Sequence, residues 1–272
     1  TLAGIINALQ IVGKKRKNVK IVFNGIGASN FAISRLLDKA GFDLHKAIFV
    51  DSRGILHKER EDLQNPDYYK YEIAQKSNPQ ELTGNVDTAL EGADILISLS
   101  IPGPGVIKKE WVSRMADDSI VFACANPIPE IFPWDAKDAG ARIVATGRSD
   151  FPNQVNNSLG FPGIFRGTLD VRAETITDEM CIAAANELAN LAEEIYGSLD
   201  EENLLPTMQY KEVFIKEAVA VGMKAIEQDI ALIKLSEEEL YNRANKIISN
   251  SQKQTKTLME EGYIPQFDDY VT

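Results

Sequence analysis

Five short apolar runs, Val19-Lys-Ile-Val-Phe23, Ala47-Ile-Phe-Val50, Ile95-Leu-Ile-Ser-Leu99, Ile120-Val-Phe-Ala-Cys124 and Arg142-Ile-Val-Ala145, alternate with stretches of helical periodicity. Near-continuous apolar strands alternating with helices point to a mainly parallel sheet covered on both faces, because a parallel strand needs a crossover that lays a helix on the sheet. The first connection is the most specific. Asn24-Gly25-Ile-Gly27-Ala-Ser-Asn30 leads into a helix over about 28–40 with Ile33, Leu36, Leu37 and Ala40 on one face, and Gly41 supplies its stop. Strand, glycine turn, helix and second strand complete one βαβ unit.

That unit has the local form that holds a dinucleotide's pyrophosphate. Gly25 permits a tight bend, Gly27 lets backbone N–H groups approach the phosphates, and the helix start presents free donors with Ala28 and Ser29. Asn30 stands where the fingerprint usually has a glycine or alanine, so the helix must pack on the strand around a larger residue. Asp51 ends the second strand, 26 residues after Gly25, where an acid accepts hydrogen bonds from ribose hydroxyls and favours NAD. Arg53 would instead meet a 2′-phosphate, which keeps NADP open. Asp51-Ser-Arg-Gly54 also reads as a plain turn.

Ligands of open α/β sheets bind beyond the carboxyl ends of the strands. The third apolar run is followed there by Ser100-Ile-Pro-Gly103, the fourth by Asn126-Pro127, and the fifth by Thr146-Gly-Arg-Ser-Asp150 and the amide-rich Pro152-Asn-Gln-Val-Asn-Asn157. Each also reads as a turn or cap; alternatively, their amides donate to a cofactor or to a small carboxylate. Tyr68, Tyr69 and Tyr71 read as aromatic packing of a helix on the sheet.

Helices are expected at about 2–12, 67–76, 86–91, 106–116 and 132–139. Beyond residue 175 the pattern becomes long helices at about 177–195, 208–228 and 236–258, the first opened by Thr177 with Asp178 and Glu179. The expected fold is thus α/β, a Rossmann-like doubly wound sheet over 1–175 with a helical extension over 176–272 packed on the same domain.

A net charge of −11 disfavours nucleic acid and anionic membranes as partners. The densest basic run, Lys14-Lys-Arg-Lys17, reads as a solvated turn. Cys124 and Cys181 share no metal or redox spacing and read as buried, reduced thiols in a cytoplasmic protein. No run approaches the roughly 20 apolar residues of a membrane span. His45 and His57, the two histidines, lie near no nucleophile, and no zinc or EF-hand spacing is present, so the sequence offers no catalytic triad and no metal site.

Together these motifs resemble the malic enzymes, in particular the nicotinamide-binding half of the shorter bacterial type. The resemblance rests on Leu2-Ala-Gly-Ile-Ile-Asn-Ala-Leu9, Gly25-Ile-Gly27, Val50-Asp-Ser-Arg-Gly54, Cys124-Ala-Asn-Pro127, and Ala145 through Asn157 to Phe161-Pro-Gly163. They run in the family's order over roughly 1–235. The resemblance implies oxidation of malate by NAD or NADP and decarboxylation to pyruvate and CO2 with Mg or Mn, with malate, oxaloacetate or pyruvate as ligands. It places Gly25, Gly27, Ala28 and Ser29 at the phosphates, Asp51 at the ribose and Ser100 in the loop after the third run. Asn126 falls beside nicotinamide and substrate, and Asn157 on the malate carboxylate.

The resemblance also implies that a lysine base, a tyrosine acid and the metal carboxylates lie in a substrate domain upstream of Thr1, so that this chain alone is expected to be inactive. The apolar face of helix 2–12 is expected to be exposed for that domain, and a homo-oligomer is implied. Two alternatives remain: a relative that decarboxylates oxaloacetate or converts malate without releasing reduced cofactor, and a noncatalytic dinucleotide-sensing module.

Overall fold

The computed structural model describes residues 1–65 and 68–265. Each apolar run forms a four-residue strand, and these are β1 (Ile21–Asn24), β2 (Ile48–Asp51), β4 (Ile95–Ser98), β5 (Ile120–Ala123) and β6 (Ile143–Thr146). All five run parallel to one another. A two-residue strand β3 (Gly54–Ile55) turns back antiparallel on β2, giving the order β3-β2-β1-β4-β5-β6. The order reverses between β1 and β4, which is where a doubly wound sheet opens its ligand crevice. Asp51-Ser-Arg-Gly54 is therefore the turn of a β-hairpin.

The helices of this region are α1 (Leu2–Val12), α2 (Ala28–Lys39), α3 (Tyr69–Lys76), α4 (Val86–Ala89), α5 (Lys109–Val112) and α6 (Pro133–Asp138). The start expected for α3 at residue 67 lies outside the described residues. One sheet face buries Val22, Ile48, Val50, Leu96, Val121 and Val144 against residues of α4, α5 and α6. On β1 and β2, Phe23 and Phe49 stack with ring centroids 4.5 Å apart.

Helix α1 departs from expectation, because its apolar face is not exposed. Ile5 and Ala8 are fully buried, Gly4 packs against the Phe122 ring of β5, and Asn7 donates to the carbonyls of Ala189 (2.9 Å) and Leu204 (2.8 Å). The apolar periodicity was legible, but the carbonyls that Asn7 bonds lie more than 180 residues along the chain.

The chain divides into two compact units, residues 1–157 with 188–207, and residues 158–187 with 208–272. The division falls at Ser158 instead of near 175, because Phe161–Val171 forms a helix, α7, that the sequence reading did not anticipate. The second unit contains α7, the first part of α8 (Asp178–Tyr196), α9 (Lys211–Glu227) and α10 (Glu237–Glu260). A Cβ on Gly167 would collide with the Ala218 carbonyl, so glycine here is what lets α7 and α9 approach. Asp170, fully buried, pairs with Arg166 and Arg243, each at 2.8 Å. Helix α8 opens as its sequence indicates, with the Thr177 hydroxyl accepting from the Met180 N–H, and α10 opens on a Ser236/Glu239 capping box. Among the described residues no helix is long and apolar enough to cross a membrane.

Candidate functional site

The crevice between β1 and β4 is built around Gly25. Its φ of +83° and the approach of the β4 loop both require glycine, since a Cβ would stand 2.5 Å from the Leu99 carbonyl oxygen. The turn is fixed by the Gly25 N–H donating to Val50 O at 2.8 Å and by the Tyr69 hydroxyl donating to Ile26 O at 2.7 Å. Gly27, Ala28 and Ser29 are exposed at the start of α2, Gly27 has open space around it, and no side chain among the described residues caps that helix. A diphosphate fits here, because uncapped N–H donors and the helix dipole face solvent at a point no side chain fills.

Asn30 explains how the turn does without a third small residue. It is fully buried, and its amide nitrogen donates to Asn24 O (3.0 Å), Gly25 O (2.7 Å) and Ile97 O (3.4 Å). The side chain thus knits β1, the turn and β4 where the usual glycine only allows contact.

Asp51 is held tightly. Arg60 meets it bidentately (2.9 and 3.2 Å), Lys70 donates at 2.7 Å, and the Arg53 N–H donates at 2.9 Å. Burial pushes the Asp51 carboxyl up, but those hydrogen bonds outweigh it and hold the group below the usual carboxylate range. Arg53 itself is exposed and pairs with Asp62 at 3.2 Å. The sequence reading missed Arg60 and Lys70. Both follow Asp51 within 19 residues, but nothing in their spacing distinguishes them from surface cations.

On the other side of the crevice, the loops after β4 and β5 share one polar network. Asn24, at the end of β1, donates to the hydroxyls of Ser98 (2.9 Å) and Ser100 (3.0 Å). Glu130, fully buried, accepts from the Ser98 hydroxyl (2.7 Å), the Ser100 N–H (2.9 Å) and hydroxyl (3.2 Å), and the Ala125 N–H (3.1 Å). Asn126 follows Ala125 directly, is exposed, and joins Pro127 through a cis peptide bond. Gly147 lies behind its carboxamide, leaving room for a Cβ only 3.1 Å from Asn126 Oδ1. The Arg148 guanidinium donates to Pro127 O at 3.0 Å and ties the loops after β5 and β6 together.

The amide-rich loop divides by task. Asn153 is buried and structural, donating to Val144 O (3.0 Å) and Glu201 O (2.7 Å) while accepting from the Leu204 N–H (3.0 Å). Asn156 donates to Gly147 O at 3.1 Å, and Asn157 is exposed. Cys124 is buried, which pushes its thiol up to about 12, whereas Cys181 is half-buried and not fully enclosed as expected. Among the described residues no group of three His, Cys, Asp or Glu side chains is placed to hold a metal ion.

A family model described as "Malic enzyme, NAD binding domain" matches residues 1–226. The chain belongs to the malic enzyme family. Among curated relatives of this malic enzyme domain, the bifunctional malic/malolactic enzyme of Bacillus subtilis (strain 168) is 42% identical over 247 residues, covering 91% of this chain and 58% of that protein. The NAD-dependent malic enzyme of Geobacillus stearothermophilus is 44% identical over 230 residues, 85% of this chain and 46% of that protein. The crystal structure of Entamoeba histolytica malic enzyme superposes with a TM-score of 0.93 at 46% identity, covering 98% of this chain and 55% of that one. The chain thus spans about half the length of these relatives. NADP-dependent malic enzymes, such as that of Halomonas elongata at 45% identity over 195 residues, match as well.

Proposed function

We propose that the chain binds a nicotinamide dinucleotide across the β1/β4 crevice and is the cofactor-binding half of an enzyme that oxidises malate and decarboxylates it to pyruvate and CO2. The observation that carries this reading is the Gly25–Ser29 turn, an uncapped helix start facing open space and clamped to β2 and β4. Gly25, Gly27, Ala28 and Ser29 hold the diphosphate, Asp51 and Arg53 meet the adenosine ribose, and Ser100 and Asn126 meet the nicotinamide side. Asn126 and Asn157, both exposed amides, donate to the malate carboxylate. Bound there, the nicotinamide accepts the hydride. The Mg or Mn ion, the base and the acid belong to parts of the enzyme beyond these residues, and the whole works as a homo-oligomer.

NAD is the preferred cofactor, because a carboxylate at the end of β2 accepts from ribose hydroxyls and repels a 2′-phosphate. The preference is shallow. Arg60, Lys70 and the Arg53 N–H already occupy the Asp51 oxygens and neutralise their charge, so discrimination stays below about tenfold, or ~1.4 kcal/mol.

Fluorescence titration of the chain with NADH is expected to saturate, NADPH to bind more weakly within that limit, and Gly25→Val to abolish binding. Malate with manganese and NAD is expected to give no NADH from this chain alone. Absence of NADH binding by the folded chain would sink the reading, and malate-dependent NADH formation would show that the catalytic groups lie within these residues after all. A second reading, conversion of malate without release of reduced cofactor, draws on the likeness to the bifunctional malic/malolactic enzyme. Product analysis of the whole enzyme separates the two.

A further inference from the structure

The Glu130 network has a direction that only a carboxylate supports. Asn24 uses both hydrogens of its amide, one on each serine hydroxyl, so the Ser98 and Ser100 hydroxyls must pass their own hydrogens onward, and both end on Glu130 Oε1. Oε1 also receives the Ser100 N–H, and Oε2 receives the Ala125 N–H. Four donors converge on one fully buried acidic side chain. An ionised carboxylate is acceptor-only and satisfies all four, whereas a glutamine of the same shape would turn an NH2 group toward one of these donors.

The two backbone N–H groups bound by Glu130 belong to Ser100 and to Ala125, the residue before Asn126, on the loops after β4 and β5. Its position therefore sets the positions of Ser100 and Asn126 together. A dinucleotide lying across the β1/β4 switch point, with its adenosine ribose toward Asp51 on β2, must direct its nicotinamide half toward these two loops. Glu130 touches neither the phosphate turn nor Asp51 in any of its hydrogen bonds.

We propose that Glu130 is a positioning residue that sets the nicotinamide half of the cofactor site, acting through Ser100 and Asn126, while the adenosine half is assembled independently around Gly25 and Asp51. This rests on the dinucleotide reading above. It divides the site into two halves with separate supports, and that division is measurable because ADP-ribose carries the adenosine half of NADH without its nicotinamide.

The test is calorimetric titration of the full chain, wild type and Glu130→Gln, with ADP-ribose and with NADH, alongside thermal unfolding of each. The expected result is a loss of NADH affinity of about tenfold, the scale of one misdirected buried hydrogen bond, with ADP-ribose affinity within about twofold of wild type. Should Glu130→Gln fail to fold, Ser98→Ala carries the same comparison, since it removes the relay from Asn24 to Glu130 at a residue buried away from the ligand, and a selective loss of about threefold is expected. An equal loss for both ligands, or no loss for either, in a folded variant would overturn the proposal and leave Glu130 a structural residue. Wild-type chain binding neither ligand would overturn the dinucleotide reading, and this inference with it. Wild-type chain that binds both, with an unselective variant, overturns the positioning role alone.

Discussion

Among the described residues two glutamates are fully buried, one in each compact unit, and they are opposites. Glu130 accepts four hydrogen bonds from the end of β4 and the loops after β4 and β5. Glu217, on α9, faces Gly163 of α7, and among the described residues neither of its oxygens has a hydrogen-bond partner. Burial pushes the Glu217 carboxyl up to about 9. A buried carboxyl can thus be satisfied by converging donors or, where they are lacking, pushed toward its protonated form. The first ties the loops after β4 and β5 together, and the second is expected to make its unit sensitive to pH.

The largest effect tests Glu217. Its proton is retained in the folded chain up to about pH 9 but released near 4.5 on unfolding, so the folded state binds more protons in that window. Stability is complete below the unfolded value and falls as pH rises, by up to about 1.4 kcal/mol per pH unit. Between about pH 5 and pH 8 this amounts to as much as ~4 kcal/mol. Glu217→Gln is expected to remove that slope, measured by urea unfolding at several pH values against wild type. Parallel curves for the two proteins would erase the contrast between the glutamates.

A smaller loss is expected from Glu130→Leu, about 3 kcal/mol, because it strands the Ser98, Ser100 and Ala125 donors in a buried site. The same urea series measures it, and a loss well under about 1 kcal/mol would mean that the converging donors do not depend on Glu130. The smallest effect sharpens the comparison on the neutral side. Asn30→Ala deletes donors to three carbonyls but leaves no charge behind, and a cost of about 1 kcal/mol in the same assay is expected, together with weaker NADH binding.

Much of the sheet was legible because β-strands buried on both faces leave an uninterrupted apolar signature, and the Gly25 turn was legible because φ and close approach leave so few residues to choose from. Helix α7 was not legible. Pro162, Gly163 and Gly167 read as breakers, yet the proline sits in the first turn, where it is tolerated, and Gly167 is required by the backbone of α9. The exposed candidates Ser29, Asn126 and Asn157 could be picked out because they stand in the turn or loops at the carboxyl ends of the strands. Glu130 could not, since a glutamate after Pro-Ile-Pro reads as a solvated turn and its donors arrive from residues up to 32 positions away. The cations around Asp51 were hidden for the same reason, being recognisable only once the end of β2 meets Arg60 in the following loop and Lys70 on α3.

Helix α1 carries a consequence for the order of events during synthesis. Asn7 finds its carbonyl partners 182 and 197 residues downstream, and the first unit is interrupted by residues 158–187 of the second. At translation rates of about 5–20 residues per second, α1 waits on the order of 10–40 s before those carbonyls emerge. The sheet can form early, but α1 can lock only when the chain has left that unit, begun the other and returned.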